Sequence, residues 1–264
     1  MEWIDRNGLR IGRVPALGAM AGDLEIFVTT RIGGVSAPPF DSLNLGGALG
    51  DRHRNMRENR RRVLSELGIP PRRLARAGQI HGAEIAVVDR GGLYPRIDGL
   101  ATAKPGLSLA ISTADCYSVV IYSPPERALA ALHVGRSGAR IGIVDRALEL
   151  LRNRFLIEPS YAIAAVGPGI CARCYAVGRE EAMRFPRDAR RMSGGDWHLD
   201  LETFIVRSLL GGGLERNRIL VSGLCTSCSP ELFYSHRRDR GMTGRHWTLA
   251  TIRAAEGTPI HLTH

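Results

Sequence analysis

Lysine is nearly missing from this 264-residue chain: of its 36 basic residues, every one but Lys104 is arginine. Aromatic residues are scarce at 6%, so a core has to be built from Leu, Ile, Val and Ala, which the 44% hydrophobic content supplies. The first residues, MEWIDRNGLRIGR, hold no basic segment leading into an apolar one, so no secretory leader is expected and the protein reads as cytoplasmic. No apolar run approaches the roughly 20 residues a membrane helix needs, so no membrane partner is expected. The five cysteines are odd in number and lack an export signal, which argues against a disulfide framework and for metal binding or catalysis. There is no glycine fingerprint for a dinucleotide after the first strand, no internal repeat and no low-complexity tract.

The formal charge of +10 raises the question of nucleic acid. The arginines are scattered, however, and the densest cluster, RHRNMRENRRR (52–62), lies on a predicted helix that also carries Glu58. It reads as a solvated face, and no nucleic-acid partner is expected. A basic surface still favours an anionic or phosphate-bearing substrate.

Along the chain, residues 1–22 show no clear period and read as a lead-in. LEIFVTTR (24–31) reads as a strand closed by a Gly/Pro loop. Residues 54–67 read as a helix ended by Gly68 and Pro70-Pro71. Strands are expected at 83–89, 107–115, 117–123, 128–134, 161–167 and 218–223, and helices at 139–155 and 200–210. The runs at 107–134 are apolar without alternation, as in strands covered on both faces. Strands and helices mix without clean βαβ alternation. The expectation is α+β: one domain, residues 1–264, of mixed β-sheets packed together with outer helices.

Three side chains sit where apolar strands begin or end: His81 in QIHGAEI, Cys116 in STADCYSVV and His133 in ALAALHV. Strand ends deliver side chains to a common rim. Two imidazoles and a thiolate suit one zinc ion and leave its fourth tetrahedral position open. The competing reading is a small buried cysteine and two merely hydrogen-bonded histidines. Cys171-x-x-Cys174 and Cys225-x-x-Cys228 are separated by 50 residues. That spacing reads as separate thiols more than as one zinc site, because the intervening chain would have to fold as a unit of its own. In CSPELFYSHRRDRGMTGRHW (228–247), Ser229-Pro230 looks like a helix start. SHRRD puts Arg237, Arg238 and Asp239 together and reads as an arginine held by Asp239 in a buried ion pair, with an anion clamp for phosphate or carboxylate as the alternative.

Six ordered stretches carry a resemblance: TTRIGGVSAPPFDSLNLG (29–46), GDRHRNMRENR (50–60), QIHG (79–82), DGLATAKPGLSLAISTADC (98–116), ALHVGRSG (131–138) and CTSCSPELFYSHRRDRGMTGR (225–245). AVGPGICARCYAVG (165–178) matches a seventh loosely. Over about residues 24–252 the chain resembles the laccase-domain family, also called the polyphenol oxidase or peptidoglycan editing factor family. The resemblance implies an α+β fold that is not a cupredoxin, with one zinc held by His81, Cys116 and His133, which would also be the catalytic centre. It implies a purine nucleoside phosphorylase, in some members a deaminase, with a nucleoside-like substrate and phosphate as small-molecule partners. Arg31, Ser42, Asn44, Gln79, Arg136 and Arg237 are the candidate substrate-binding residues. The alternatives are a peptidoglycan-precursor editing hydrolase, a copper-type phenol oxidase, which the absence of any His-x-His pair disfavours, and a non-catalytic zinc protein.

The chain departs from that pattern in places. Where the family usually reads His-Ala-Gly-Trp-Arg-Gly, it has His133-Val134-Gly135-Arg136-Ser137-Gly138. Where the family has Cys-Tyr-Glu-Val, it has Cys174-Tyr175-Ala176-Val177, without the carboxylate. The ligand triad is kept and its surroundings change, which points to an altered substrate.

Overall fold

The computed structural model describes residues 1–15, 22–47 and 50–254. The chain opens on β1 (Glu2–Arg6) and β2 (Leu9–Arg13), an antiparallel hairpin, followed by β3 (Leu24–Thr29). The lead-in expected over residues 1–22 is, in its described part, a hairpin joined to the sheet. The two-residue turn Asn7-Gly8 has φ of +48° and +77°, the backbone that a tight hairpin needs and that Asn-Gly tolerates.

Next come α1 (His53–Glu66), β4 (Leu74–Gly78), β5 (Ile85–Val87), β6 (Gly92–Pro95), β7 (Gly99–Thr102), β8 (Ser108–Thr113), β9 (Tyr117–Ser123) and β10 (Ala128–Val134). The expected helix over 139–155 is two: α2 (Arg136–Arg140) and α3 (Ile143–Phe155). Gly142, at φ +79°, breaks the ladder between them. The chain continues with β11 (Ile163–Val166), β12 (Ala176–Val177), α4 (Arg179–Met183), β13 (Arg190–Ser193), β14 (Asp196–Leu199), α5 (Leu201–Gly211), β15 (Ile219–Val221) and β16 (His246–Ile252). No helix starts at Pro230. Leu232 and Phe233 donate back to the Ser229 carbonyl in a single turn that does not propagate.

The strands form a seven-stranded sheet, β1-β2-β3-β16-β8-β4-β6, a six-stranded sheet, β15-β11-β9-β10-β7-β5, and a small sheet, β12-β14-β13. Parallel and antiparallel pairs mix in both large sheets. The period-two alternation of side chains shows how they stack. Val120, Tyr122, Leu129 and Ala131 of the six-stranded sheet pack with Leu109, Ile111, Ala250 and Ile252 of the seven-stranded one. The alternate residues Val119, Ile121, Ala130 and Leu132 pack outward on Val144, Leu148 and Leu151 of α3. On the far side, Ala110, Trp247 and Leu249 meet Val63 and Leu64 of α1. Two sheets are therefore stacked face to face with helices outside. This explains why β9 and β10 are apolar at every position: both faces are covered and all fourteen of their residues are buried. The fold is mixed α+β, as expected, and no helix among the described residues is long and apolar enough to cross a membrane.

Candidate functional site

The sheet register brings three distant segments to one place. β4 and β8 run parallel, so the loop after β4 and the turn after β8 leave from the same end. β10 runs antiparallel to β9, with His133 opposite Ser118 and Val134 opposite Tyr117, so the end of β10 lies beside the start of β9. His81, Cys116 and His133 therefore converge, each offering one ligand atom, with all three atoms within 4.8 Å of one another. The two imidazole rings stand edge to face, centroids 4.8 Å apart. His133 is buried, Cys116 partly covered and His81 exposed, so the group opens towards solvent on the His81 side. A metal fits this donor set, and Gly135 makes room for it. A Cβ there would lie 2.8 Å from Cys116 Sγ and 3.3 Å from the His81 ring.

Asp98, fully buried just before β7, organises the group. Its Oδ1 accepts from the His81 backbone amide at 2.9 Å and pairs with His133 Nδ1 at 2.7 Å. Its Oδ2 accepts from the amides of Gly82 at 2.7 Å and Ile80 at 3.1 Å. Three amides on one carboxylate fold residues 80–82 into a tight turn, with His81 in the left-handed region at φ +62°. Burial raises the Asp98 pKa, but the His133 ring and the amides outweigh it and hold the group ionised. The ionised carboxylate keeps the proton on His133 Nδ1 and leaves Nε2 as the ligand atom. Asp98 escaped notice as a site residue, although it opens a stretch quoted for the family resemblance. Its signal was an acid placed immediately before a buried strand.

The charges of the triad act on one another. Burial opposes ionisation of Cys116, yet His133 and His81 bring its thiol down to about 6. Burial likewise disfavours the charged form of His133, while Cys116 and Asp98 push it up to about 9. A thiolate is thus available at neutral pH, the form in which cysteine binds metals.

Asp115 does not sit on a strand. It occupies the β8–β9 turn at φ +94° and is locked there. Its carboxylate accepts from Thr226 Oγ1 at 2.7 Å and from the Arg237 amide at 2.6 Å. The other sequence candidates divide into two groups. Arg31 spends its guanidinium on Asp41 and the Pro230 carbonyl, and lies over the Tyr234 ring. Ser42 Oγ accepts from the amides of Gly33 and Gly34, and Asn44 joins Asp51 to the amides of Gly46 and Arg245. Gln79 pairs both ends of its amide with the Ser112 backbone. These four brace loops. Arg136 and Arg237, by contrast, stand with Cys116 and Asp115 close enough to bias the Tyr175 hydroxyl electrostatically. Arg136 is paired with Glu181 at 3.2 Å, and Arg237 lies over the Tyr175 ring at 5.0 Å. The Arg238–Asp239 pair forms at 2.8 Å, with further donation to the carbonyls of Thr226 and Phe233. It is a loop staple. Tyr175 and Glu181 were not among the sequence candidates.

Fold and site together define an α+β protein with an open His/Cys/His group able to hold a metal at the end of stacked sheets. The chain belongs to the family described as multi-copper polyphenol oxidoreductase laccase, which it matches over residues 25–253. It is 38% identical over 258 residues to a protein of Geobacillus stearothermophilus named purine nucleoside phosphorylase YlmD, covering 91% of this chain and 92% of that one. A Deinococcus radiodurans protein named purine nucleoside phosphorylase is 38% identical over 237 residues, 87% of this chain and 89% of its own. The crystal structure of YlmD from Geobacillus stearothermophilus superimposes with a TM-score of 0.87, at 32% identity, covering 95% of this chain and 98% of that chain. Likeness of this extent to named enzymes identifies the chain as an enzyme.

Proposed function

We propose that this protein is a zinc-dependent enzyme that releases the base from a purine nucleoside or related N-glycoside, with phosphate as the attacking partner. The observation that supports it most directly is the convergence of His81, Cys116 and His133 in a chain 38% identical to proteins named purine nucleoside phosphorylase. Two imidazoles and a thiolate suit zinc. They also suit a mononuclear copper, but the multinuclear copper cluster of a phenol-oxidising laccase needs more histidine ligands than this group holds. The ion would supply Lewis acidity to a substrate oxygen or to water.

The chain's own side chains cover the remaining needs of phosphorolysis. A phosphate oxygen bonds to the anomeric carbon, the N-glycosidic bond breaks, and its electron pair goes to the purine nitrogen. Arg136 and Arg237 offer cations for the phosphate. Burial raises the Tyr175 pKa, an effect the neighbouring arginines only partly offset, so its hydroxyl stays protonated. It can then donate to the nitrogen of the departing base. Arg31, Ser42, Asn44 and Gln79 serve the substrate indirectly, by shaping the loops that border it.

The test is metal analysis of the purified protein joined to a nucleoside panel run with and without phosphate. Phosphate-dependent release of free base, abolished in Cys116→Ala, is expected. Deamination without base release would reassign the attacking partner to water. Equal activity in Cys116→Ala, or none on any nucleoside, would overturn the proposal.

A further inference from the structure

The four cysteines outside the triad are not separate thiols. Cys171, Cys174, Cys225 and Cys228 bring their sulfurs within 4.8 Å of one another. The topology explains how 50 intervening residues permit this. β11 and β15 are adjacent and parallel, so the loops that follow them leave the sheet side by side. A parallel bridge between Gly169 and Cys225 continues the pairing into those loops. The chain between them forms α4, the β12-β14-β13 sheet and α5, whose apolar residues join the core beside α3.

We propose that these four cysteines form a second metal site, a structural tetrathiolate zinc centre distinct from the His/Cys/His group. A tetrahedral zinc with Zn–S bonds of about 2.3 Å sets its sulfurs about 3.8 Å apart. The observed separations of 3.3 Å for Cys174–Cys228 and 4.0 Å for Cys171–Cys228 bracket that value. No pair stands at the roughly 2.05 Å of a disulfide. A backbone amide is aimed at one of the sulfurs, which favours its thiolate form. The Cys171 amide donates to Cys225 Sγ at 3.3 Å, tying the first knuckle to the second. Cys228 is exposed and the other three are partly covered, which leaves the ion a way in. Binding releases the thiol protons and needs no oxidant.

The centre has a mechanical role. Thr226, inside the second knuckle, holds the Asp115 carboxylate, and the Ile170 amide, beside the first, donates to the Asp115 carbonyl at 2.8 Å. Clamping the knuckles together therefore fixes the turn that presents Cys116.

Native mass spectrometry of the full chain, purified under reducing conditions with zinc, tests this independently of any nucleoside activity. Two zinc ions per chain are expected, with one lost in Cys174→Ser/Cys228→Ser and the other in Cys116→Ala. Should the double variant fail to fold, alkylation mapped by peptide on the wild-type protein decides. The four cysteines are expected to be protected while metal is bound and to react after chelation. No zinc that the double substitution removes, unprotected knuckle cysteines, or a mass 2 Da low from a disulfide would each overturn the proposal; a single zinc lost in the double variant and kept in Cys116→Ala would support it and overturn only the triad's zinc.

Discussion

Asp98→Asn isolates what the buried carboxylate does for the triad, because it preserves shape and removes one acceptor. The wild-type group receives four hydrogen bonds, two on each oxygen. An amide has one oxygen, so two donors must lose their acceptor whichever way it turns. If its NH2 replaces Oδ1, the His81 amide and His133 Nδ1 face a donor. His133 must then take the other tautomer, with its proton on the nitrogen that should ligate. If the NH2 replaces Oδ2, the amides of Ile80 and Gly82 are orphaned and the left-handed turn at His81 loosens. Each donor left unsatisfied costs about 1–3 kcal/mol, so the fold should lose about 1–3 kcal/mol in the first orientation, where the tautomer change satisfies His133, and about 2–6 kcal/mol in the second. Loss of an outer partner of a metal-binding histidine typically weakens the metal about 10–100-fold, which is about 1.4–2.8 kcal/mol. Competition for zinc against a chromophoric chelator measures the second quantity, and urea unfolding of the metal-free proteins the first. A variant that binds zinc within twofold of wild type, with an unchanged urea midpoint, would refute the tautomer argument.

Gly135→Ala puts a methyl group against Cys116 Sγ and the His81 ring. It should cost about 1–3 kcal/mol by overpacking and weaken the triad's zinc at least tenfold, read by the same chelator competition. In the metal-free protein, the lowered thiol of Cys116 contributes stability above the ordinary thiol value of 9.0, and that contribution is lost as pH falls through about 6. The raised His133 contributes below its ordinary 6.5 and loses it as pH rises through about 9, so the ionic pair holds between about 6 and about 9. The alkylation rate of Cys116, followed by peptide mapping, should inflect near pH 6 and shift upward in His133→Asn; an unmoved inflection would count against the pairing.

Much of this architecture is legible in the chain because burial writes itself into periodicity. The unbroken apolar runs at 117–123 and 128–134 announced strands covered on both faces, and residues at their ends were the natural place for ligands. What stayed hidden depended on pairings remote in sequence. No local pattern says that β11 and β15 lie side by side, so the two CxxC knuckles read as unrelated. Asp98 serves the site through hydrogen bonds to segments 17 and 35 residues away, and an isolated Asp has no periodicity to betray it. The break at Gly142 was masked by the amphipathic pattern on both sides of it. The Asn7-Gly8 turn was readable, since Asn-Gly is a strong hairpin signal, but the first of its flanking strands is too exposed to alternate cleanly.

Two departures from the family pattern bear on charge. Arg136 stands where the family usually has an aromatic residue, and Ala176 lacks the usual carboxylate. The structure brings Glu181, from α4, against Arg136 instead. Both partners of that pair keep some exposure, so it adds about 0–1 kcal/mol to the fold at most. Its consequence is electrostatic: it tempers a cation beside the triad without burying it. Because a guanidinium grips phosphate best through two parallel donors, an incoming anion competes with Glu181 for that fork. Affinity for the anion is then a difference between two charge-assisted bonds instead of the full strength of one. Under the proposed function, a substrate selected at this rim brings charge of its own, whereas the aromatic residue it lacks would have selected a flat ring by stacking.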